Sequence, residues 1–318
     1  MTGSRGKKNM KCVLALSLIF LSPAVAAQEA PAPVASLSTP TCDRECLRSK
    51  ITEVLHAFIE DDVTQLNVAP NLRVTEDAVE KPLAEVGLIR SVSKIRGYRQ
   101  DIIDERAGVA VGGVMVEESG APIVLVVRIK VDSEQRLTEL ELVATRSRTD
   151  GMLYAIDAYS GASAPAMNVA PRLNQLETRE RAIEIAMHYP RGLSNAQTFD
   201  AVGTPFSTDA YRVENGAYMA GPGCTMIPGC ANIGSQSLAV FNQLGRVTIR
   251  DIVVDERLGI VVMRLAWNRS GPGSDRLTAW EMFKIYDGQI HAVEAYMRLF
   301  SQEQDLGGWP ISEGIRQP

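Results

Sequence analysis

The chain switches between two apolar spacings, helical first and alternating after, and it makes that switch twice. Over residues 46–59 the apolar positions Leu47, Ile51, Val54, Leu55, Phe58 and Ile59 recur at i, i+3, i+4 and i+7, which predicts an amphipathic helix. Asp43 stands where an N-cap or first-turn acid belongs, and the helix is expected to stop near Asp61-Asp62. A short extended stretch broken by Pro70 follows at 67–75, then a looser helical segment over 79–93. From there the period falls to two. Strands are expected at 96–104, 109–117, 122–131 and 136–145, the last alternating Leu137, Glu139 and Glu141 against Thr138, Leu140 and Leu142. Helices followed by an antiparallel meander predict an α+β unit of about a hundred residues.

The order then returns. Residues 178–189 read as a helix with Ala182, Ile183, Ile185, Ala186 and Tyr189 apolar, and 206–215 repeat the extended stretch. Strands are expected at 245–254, 259–268, 277–286 and 289–299. Between the units, Gly/Ala/Ser/Pro-rich sequence without a sustained period reads as a connection. The expected domains are therefore 42–148 and 177–300, joined by a linker at 149–176 and followed by a tail at 301–318.

Shared motifs make the duplication explicit. Asp104-Glu105-Arg106-Ala107-Gly108-Val109-Ala110-Val111 and Asp255-Glu256-Arg257-Leu258-Gly259-Ile260-Val261-Val262 have one D-E-R-x-G-[VI]-x-V form. A charged turn closed by Gly between β runs is a hairpin signal. Arg99 then falls opposite Arg250, and Glu141 opposite Glu294 on the closing strands. Arg212-Val213-Glu214-Asn215-Gly216 is set against Arg73-Val74-Thr75-Glu76-Asp77-Ala78. Glu76 to Asp104 is 28 positions and Glu214 to Asp255 is 41, so the second copy carries extra residues in a Gly-rich interval holding Cys224 and Cys230. Loop insertions on a repeated scaffold are where function diverges.

Composition narrows the setting. A hydrophobic fraction of 45% in 318 residues supports a core in each unit. Residues 1–27 have the three parts of a secretory signal peptide: basic Arg5, Lys7, Lys8 and Lys11, an apolar run at 12–21, and small residues at Ala24-Val25-Ala26-Ala27. A retained anchor is the alternative, although the apolar run is short for a span. Residues 28–41 form a Pro/Ala-rich tether. Cleavage shifts the formal charge from −5 to about −9, with no basic stripe for phosphates, which argues against nucleic acid. The expected location is periplasmic or secreted, with no membrane contact after cleavage. Of three possible connectivities for the four remaining cysteines, the local one, Cys42–Cys46 with Cys224–Cys230, is favoured. A four-cysteine zinc site is the alternative; neither pair has the usual C-x2-C spacing, and no metal is assigned.

With both units laid out, the chain resembles a tandem of the cone-shaped α+β fold of nuclear transport factor 2-like and SnoaL-like proteins. More narrowly it resembles a group of exported fungal and bacterial proteins with four shared features. These are an N-terminal C-x-x-x-C (Cys42–Cys46), an R-x-[ST]-E-N-G-like segment (73–77 and 212–216), a D-E-x-x-G turn, and a closing strand with a conspicuous Glu (Glu141 and Glu294). The resemblance covers most of residues 42–300. It implies two domains, each with helices packed into the concave face of a curved, mostly antiparallel sheet around a pocket. The superfamily includes cyclases, isomerases, dehydratases, lyases and binders, so it implies no one reaction. The first copy departs from the pattern, with Glu76-Asp77-Ala78 where the second keeps Glu214-Asn215-Gly216.

Candidate chemistry concentrates in the second copy. The chain has three histidines, of which His56 and His188 lie late in the predicted helices and His291 on the closing strand. Alternation puts His291 in phase with Val293, Ala295 and Met297, and Glu294 in phase with Ile290, Ala292 and Tyr296, so the two are not expected to form a dyad. Three outcomes stay open: His291 faces the pocket as a general base, Glu294 faces it beside Tyr296, or neither does. Arg250 is either an oxyanion-stabilising cation or a structural ion-pair partner like Arg99. Trp267, Trp280 and Glu281, with Arg212 and Glu214, are the candidate ligand-binding set, against the simpler role of core residues. No nucleotide-binding loop, dinucleotide fingerprint, serine-nucleophile elbow or H-E-x-x-H is present, and no cofactor is expected. Asn268-Arg269-Ser270 matches a glycosylation acceptor. Two functions remain: a small-molecule binder, with or without cofactor-free acid/base turnover, and a non-catalytic structural pseudo-dimer. The oligomeric form is either a monomer with an internal pseudo-dimer or a homodimer.

Overall fold

The computed structural model describes residues 42–160, 166–267 and 275–318. The expected leader and tether, and the Asn268-Arg269-Ser270 acceptor, lie outside the described residues. Two six-stranded sheets are built to one plan. In the first, helix α1 (Arg44–Ile59) precedes β1 (Val68–Glu76), β2 (Val79–Glu80), the short helix α2 (Gly87–Ser91), β3 (Val92–Asp104), β4 (Val109–Glu118), β5 (Ala121–Val131) and β6 (Leu137–Thr145). After the short helix α3 (Arg148–Gly151), the second runs α4 (Arg179–Asn195), β7 (Phe206–Glu214), β8 (Ala217–Ala220), the short helix α5 (Ala239–Asn242), β9 (Val247–Asp255), β10 (Ile260–Trp267), β11 (Arg276–Tyr286) and β12 (Gln289–Phe300). The sheet orders are β2-β1-β6-β5-β4-β3 and β8-β7-β12-β11-β10-β9. Each sheet is antiparallel except for one parallel pair, β1 with β6 and β7 with β12. The fold is α+β, two tandem cone-shaped domains.

Each long helix starts on a cap and buries its apolar stripe. Asp43 accepts from the Cys46 N–H and Thr178 from the Arg181 N–H. Disulfides close Cys42–Cys46 and Cys224–Cys230. The helical segment expected over 79–93 is broken into β2, one 3-10 turn at Leu83–Glu85 and α2. Pro82 interrupts it, and the Glu76 carboxylate draws α2 into place by accepting from the Gly87 and Leu88 N–H groups at 2.9 and 2.7 Å. The helix expected to end at Tyr189 runs on through Pro190 to Asn195, where burial of Leu193 outweighs the hydrogen bond proline removes.

Every sheet has a helix-bearing face and an outer face, and the two outer faces pack together. Ile102, Val111, Val124 and Val126 of the first sheet meet Val253, Val262, Trp280, Met282 and Tyr296 of the second in one cluster. The segment after β12 binds the two sheets further. Trp309 donates its indole N–H to Thr75 Oγ1 at 2.8 Å, and Arg73 lies 4.3 Å from its ring centre. Farther on, Ser312 donates to Asp251 and Gln317 makes two bonds with the Ile249 backbone.

Strand registers give a residue-by-residue correspondence between the cones. Glu141 pairs with Thr75 and Glu294 with Val213, so Glu76 matches Glu214 and Arg212 matches Val74. The motif comparison set Arg212 against Arg73; the register moves it by one residue. Arg73 lies on the alternate face and pairs with Glu80.

Candidate functional site

The residues expected to act together fall into three places. On the helix-bearing side of the second sheet, β11 aims Ala279, Glu281 and Phe283 inward in phase. Glu281 pairs with Ala295 of β12, and Ala295 pairs with Glu214 of β7, so the two carboxylates flank a small residue on neighbouring strands. Two residues back along β7, Arg212 faces the same side. Its Nε lies 2.7 Å from Glu214 Oε1, its Nη2 donates to Gln236 Oε1 at 2.6 Å, and its Nη1 lies 3.4 Å from the Tyr189 hydroxyl. Arg212, Glu214, Glu281, Tyr189 and Gln236 are all buried.

Burial governs the ionisation of this group. Desolvation pushes the Glu281 carboxyl up to about 8, the nearby Glu214 charge adds to the rise, and Arg212 opposes it. At neutral pH Glu281 is therefore a carboxylic acid, with Oε2 buried and without a hydrogen-bond partner. Desolvation likewise raises the Tyr189 hydroxyl well above its usual value. The Arg212 guanidinium, although desolvated, is held charged by the Tyr189 hydroxyl and the Glu214 carboxylate. The site thus holds an Arg–Glu ion pair beside a neutral acid.

The first cone supplies an internal comparison. Counting from the caps Asp43 and Thr178, Tyr189 corresponds to Val54; by register, Arg212 corresponds to Val74 and Glu281 to Val127. All three valines are buried in an apolar cluster. Ala295 corresponds to the bulkier Leu142, and Glu76, the match of Glu214, is spent on capping α2 and pairing with Lys81. One scaffold is filled by aliphatic side chains in one copy and by charge in the other.

The second place is the seam between the sheets. Glu294 is fully buried there and accepts from the Tyr98 hydroxyl of the first domain at 2.5 Å; the Tyr98 and Tyr296 hydroxyls are 2.8 Å apart. Desolvation pushes its carboxyl up to about 7, against the two tyrosine hydrogen bonds. Arg250 donates to Glu141 Oε2 at 2.6 Å, and Arg264 Nε lies 3.6 Å from the other oxygen. Trp280 sits under both guanidiniums, each 5.3 Å from its ring centre. Arg250 is therefore an ion-pair partner across the seam. It does not match Arg99, which turns to the helix side to bind Asp101 and Thr52, because the two edge strands shift register at different points.

His291 stands apart from both. Its ring stacks on Tyr286 at 3.5 Å and its Nε2 is 3.1 Å from the Tyr286 carbonyl. Half-buried, it is held below the usual histidine range by desolvation. A register shift between Ile290 and Ala292 turns Ile290 to the helix side with Val293, Ala295 and Met297, out of the alternation expected for it. Neither His291 with Glu294 nor Trp267 with Trp280 forms a joint site. Trp267 belongs to the helix-side core, Trp280 to the seam.

Three cavities are described on the molecule. They measure about 520 Å³ between α4 and residues 312–316, about 550 Å³ around Asp77, Arg146 and Arg298, and about 260 Å³ between Arg128, Arg250 and Trp309. None of the three is lined by Arg212, Glu214 or Glu281. Around those residues the second cone is packed with Tyr189, Phe199, Phe206 and Phe283 in mutual ring contact.

Residues 175–297 match a family described as a domain of unknown function (DUF8021). That span holds α4, the second sheet as far as Met297 of β12, and the whole buried polar group. No curated protein matches the chain. Among solved structures it is similar to a de novo designed protein with a curved β-sheet, at 14% identity and TM-score 0.31, covering 38% of this chain and 87% of that one. It is similar also to an LEH-like epoxide hydrolase from M. tuberculosis (21% identity, TM-score 0.26, 37% and 83% covered). A steroid delta-isomerase from Pseudomonas aeruginosa gives 12% identity and TM-score 0.26, with 31% and 79% covered. Among the described residues no helix is long and apolar enough to cross a membrane, and no group of His, Cys, Asp or Glu could hold a metal ion.

Proposed function

We propose that the protein is an exported small-molecule binder whose second cone holds the site and whose first cone is its structural partner. The observation that carries this reading is the replacement of Val54, Val74 and Val127 by Tyr189, Arg212 and Glu281 on one scaffold. Burying charge where an aliphatic side chain packs equally well costs stability, by about 1–4 kcal/mol in comparable swaps. The fold does not need the polar group, since the first cone packs without it, so its role is one of recognition or chemistry.

The ligand we infer is mostly apolar with one polar head. It requires the rings of Tyr189, Phe199, Phe206 and Phe283 to part, since they close around the charged group and none of the three cavities reaches it. If turnover occurs, it is cofactor-free acid/base chemistry of the isomerase, lyase or cyclase type. Glu281, neutral at pH 7, donates a proton, Glu214 accepts one, and Arg212 with Tyr189 steadies a developing oxyanion. The alternative, a purely structural pseudo-dimer, is favoured by the apolar seam between the sheets. Export and a periplasmic or extracellular setting are supported by the basic-apolar-small leader and the two disulfides. The cone fold and repeated motifs support kinship with the nuclear transport factor 2-like and SnoaL-like group.

The deciding experiment gives the second cone its sister's residues. The Tyr189→Val/Arg212→Val/Glu281→Val variant also carries Glu214→Gln and Gln236→Leu, so that neither a buried charge nor a buried amide is left without Arg212. It is expected to fold, at some cost for the cavity left beside Phe199 and Phe283, and to lose the small molecules that mass spectrometry detects with the purified wild type. Identical co-purifying molecules in both proteins would leave the structural reading standing.

A further inference from the structure

We propose that Gln236 occupies the place of the ligand's head group, and that the second cone therefore takes a neutral ligand with a carboxamide-type head. This rests on the reading that the second cone binds a small molecule. Gln236 belongs to the stretch 221–246, for which the first cone has only 81–91 between the matching strands. From that loop it reaches the interior and is buried. Its Oε1 accepts from Arg212 Nη2 at 2.6 Å while its Nε2 donates to the Met219 carbonyl at 3.1 Å. One planar amide thus satisfies an acceptor-seeking guanidinium and a donor-seeking carbonyl together.

Other head groups fit this pair of partners less well. A carboxylate would serve Arg212 but has no proton for Met219, and it would add charge to a guanidinium already matched by Glu214 at 2.7 Å. A ketone or ether accepts from Arg212 and gives the half-buried Met219 carbonyl no donor; an alkyl head serves neither, at about 1–3 kcal/mol for the buried Arg212 Nη2 and less for the carbonyl. Only a neutral group that accepts and donates in one plane reproduces what Gln236 does. The amide is carried on a chain segment that the scaffold's other copy folds without; because Ile233, Leu238 and Leu244 of that segment are built into the core, it is the Gln236 side chain alone that gives way.

The test uses the side chain's small-molecule equivalent. The disulfide-intact mature protein, its Gln236→Ala variant and a volume-keeping Gln236→Leu variant are titrated with acetamide, acetate and acetone. Binding is read from the Arg212 Nε–Hε resonance and from the melting temperature. Acetamide is expected to bind Gln236→Ala at least about tenfold more tightly than wild type, more tightly than acetate or acetone do, and to leave Gln236→Leu unmoved. Gln236→Ser serves the same comparison should the alanine variant not fold. Equal affinity for wild type and Gln236→Ala overturns the proposal, because Gln236 then holds no ligand's place. Tighter binding of acetate overturns it while leaving the second cone a binding site for anions. If none of the probes perturbs Arg212 in any variant, this inference falls, and the binding reading then stands or falls on the co-purifying molecules alone.

Discussion

Asp104 and Asp255 hold each other's domains by the same two contacts, exchanged. Asp104 accepts from the Val254 N–H at 2.9 Å and from Arg179, the first residue of α4. Asp255 accepts from the Ile103 N–H at 3.1 Å and from Arg44, the first residue of α1. Both carboxylates are fully buried, and Arg106 pairs with Glu256 alongside. The repeated D-E-R-x-G motif is a hairpin turn and also a reciprocal latch about the internal two-fold.

Removing either half of the latch leaves a half-buried arginine and a buried backbone N–H without their carboxylate. Asp104→Ala and Asp255→Ala are each expected to lower stability by about 3 kcal/mol in chemical denaturation. Because both contacts secure one seam, the double variant should cost less than the two single effects added. Losses below about 0.5 kcal/mol in each single variant would reduce the motif to its turn.

Gly113 is needed for space. A Cβ there would lie 2.4 Å from Tyr296 Cζ and its hydroxyl oxygen, so the ring of the second domain rests on bare backbone of the first. Gly113→Ala should cost about 2 kcal/mol. In a Tyr296→Ala background the same substitution should cost nearly nothing, since the clashing ring is gone. Equal costs in both backgrounds would place the strain elsewhere.

Trp309 tests whether the segment after β12 is part of the fold. Its indole is hydrogen-bonded to Thr75 and covered by Arg73, which also donates to the Gly308 carbonyl at 2.6 Å. Trp309→Ala is expected to destabilise by about 3 kcal/mol and to expose residues 301–318 to proteolysis. Unchanged stability and cleavage would make that segment a loose tail.

Much of the scaffold was legible because period reports burial. The apolar stripe of α1 and the alternation of β6 give element type directly, and the duplicated D-E-R-x-G aligns the copies without a structure. What escaped is whatever depends on a partner strand. Trp267 and Trp280 lie on different strands, and only the pairing of Met263 with Glu281 reveals that they face opposite ways. Bulges defeat counting within a strand as well, at Ile290 and at Arg250. Arg212, Glu214 and Glu281 stood out as charges in β-rich sequence. Tyr189 was hidden by fitting the helix stripe, and Gln236 by lying in an insertion with no period; neither carries a sequence signal apart from its position. The latch aspartates were visible as a motif, but their partners are 75 to 211 residues away in sequence, and periodicity says nothing at that range.

The buried acids make stability depend on pH in a direction opposite to the usual carboxylate. Glu281 titrates near 8 in the folded protein and Glu294 near 7, both above the ordinary 4.5. Between 4.5 and those values the folded state holds protons that the unfolded chain has released. Each group's contribution is complete below about 4.5 and is lost as pH rises, at up to about 1.4 kcal/mol per pH unit, until its folded value is passed. Unfolding free energy measured by denaturant at pH 5, 6, 7 and 8 should therefore fall across the series. Glu281→Gln, which keeps the shape and cannot ionise, should flatten the slope over the whole range, and Glu294→Gln only up to about pH 7. The separation is the useful part: the Glu281 effect belongs to the second cone, and a ligand head that hydrogen-bonds the protonated acid should carry the slope to higher pH. A wild-type slope that neither glutamine variant changes would mean that both carboxyls ionise near their ordinary range, and Glu281 would then have no proton to donate at neutral pH.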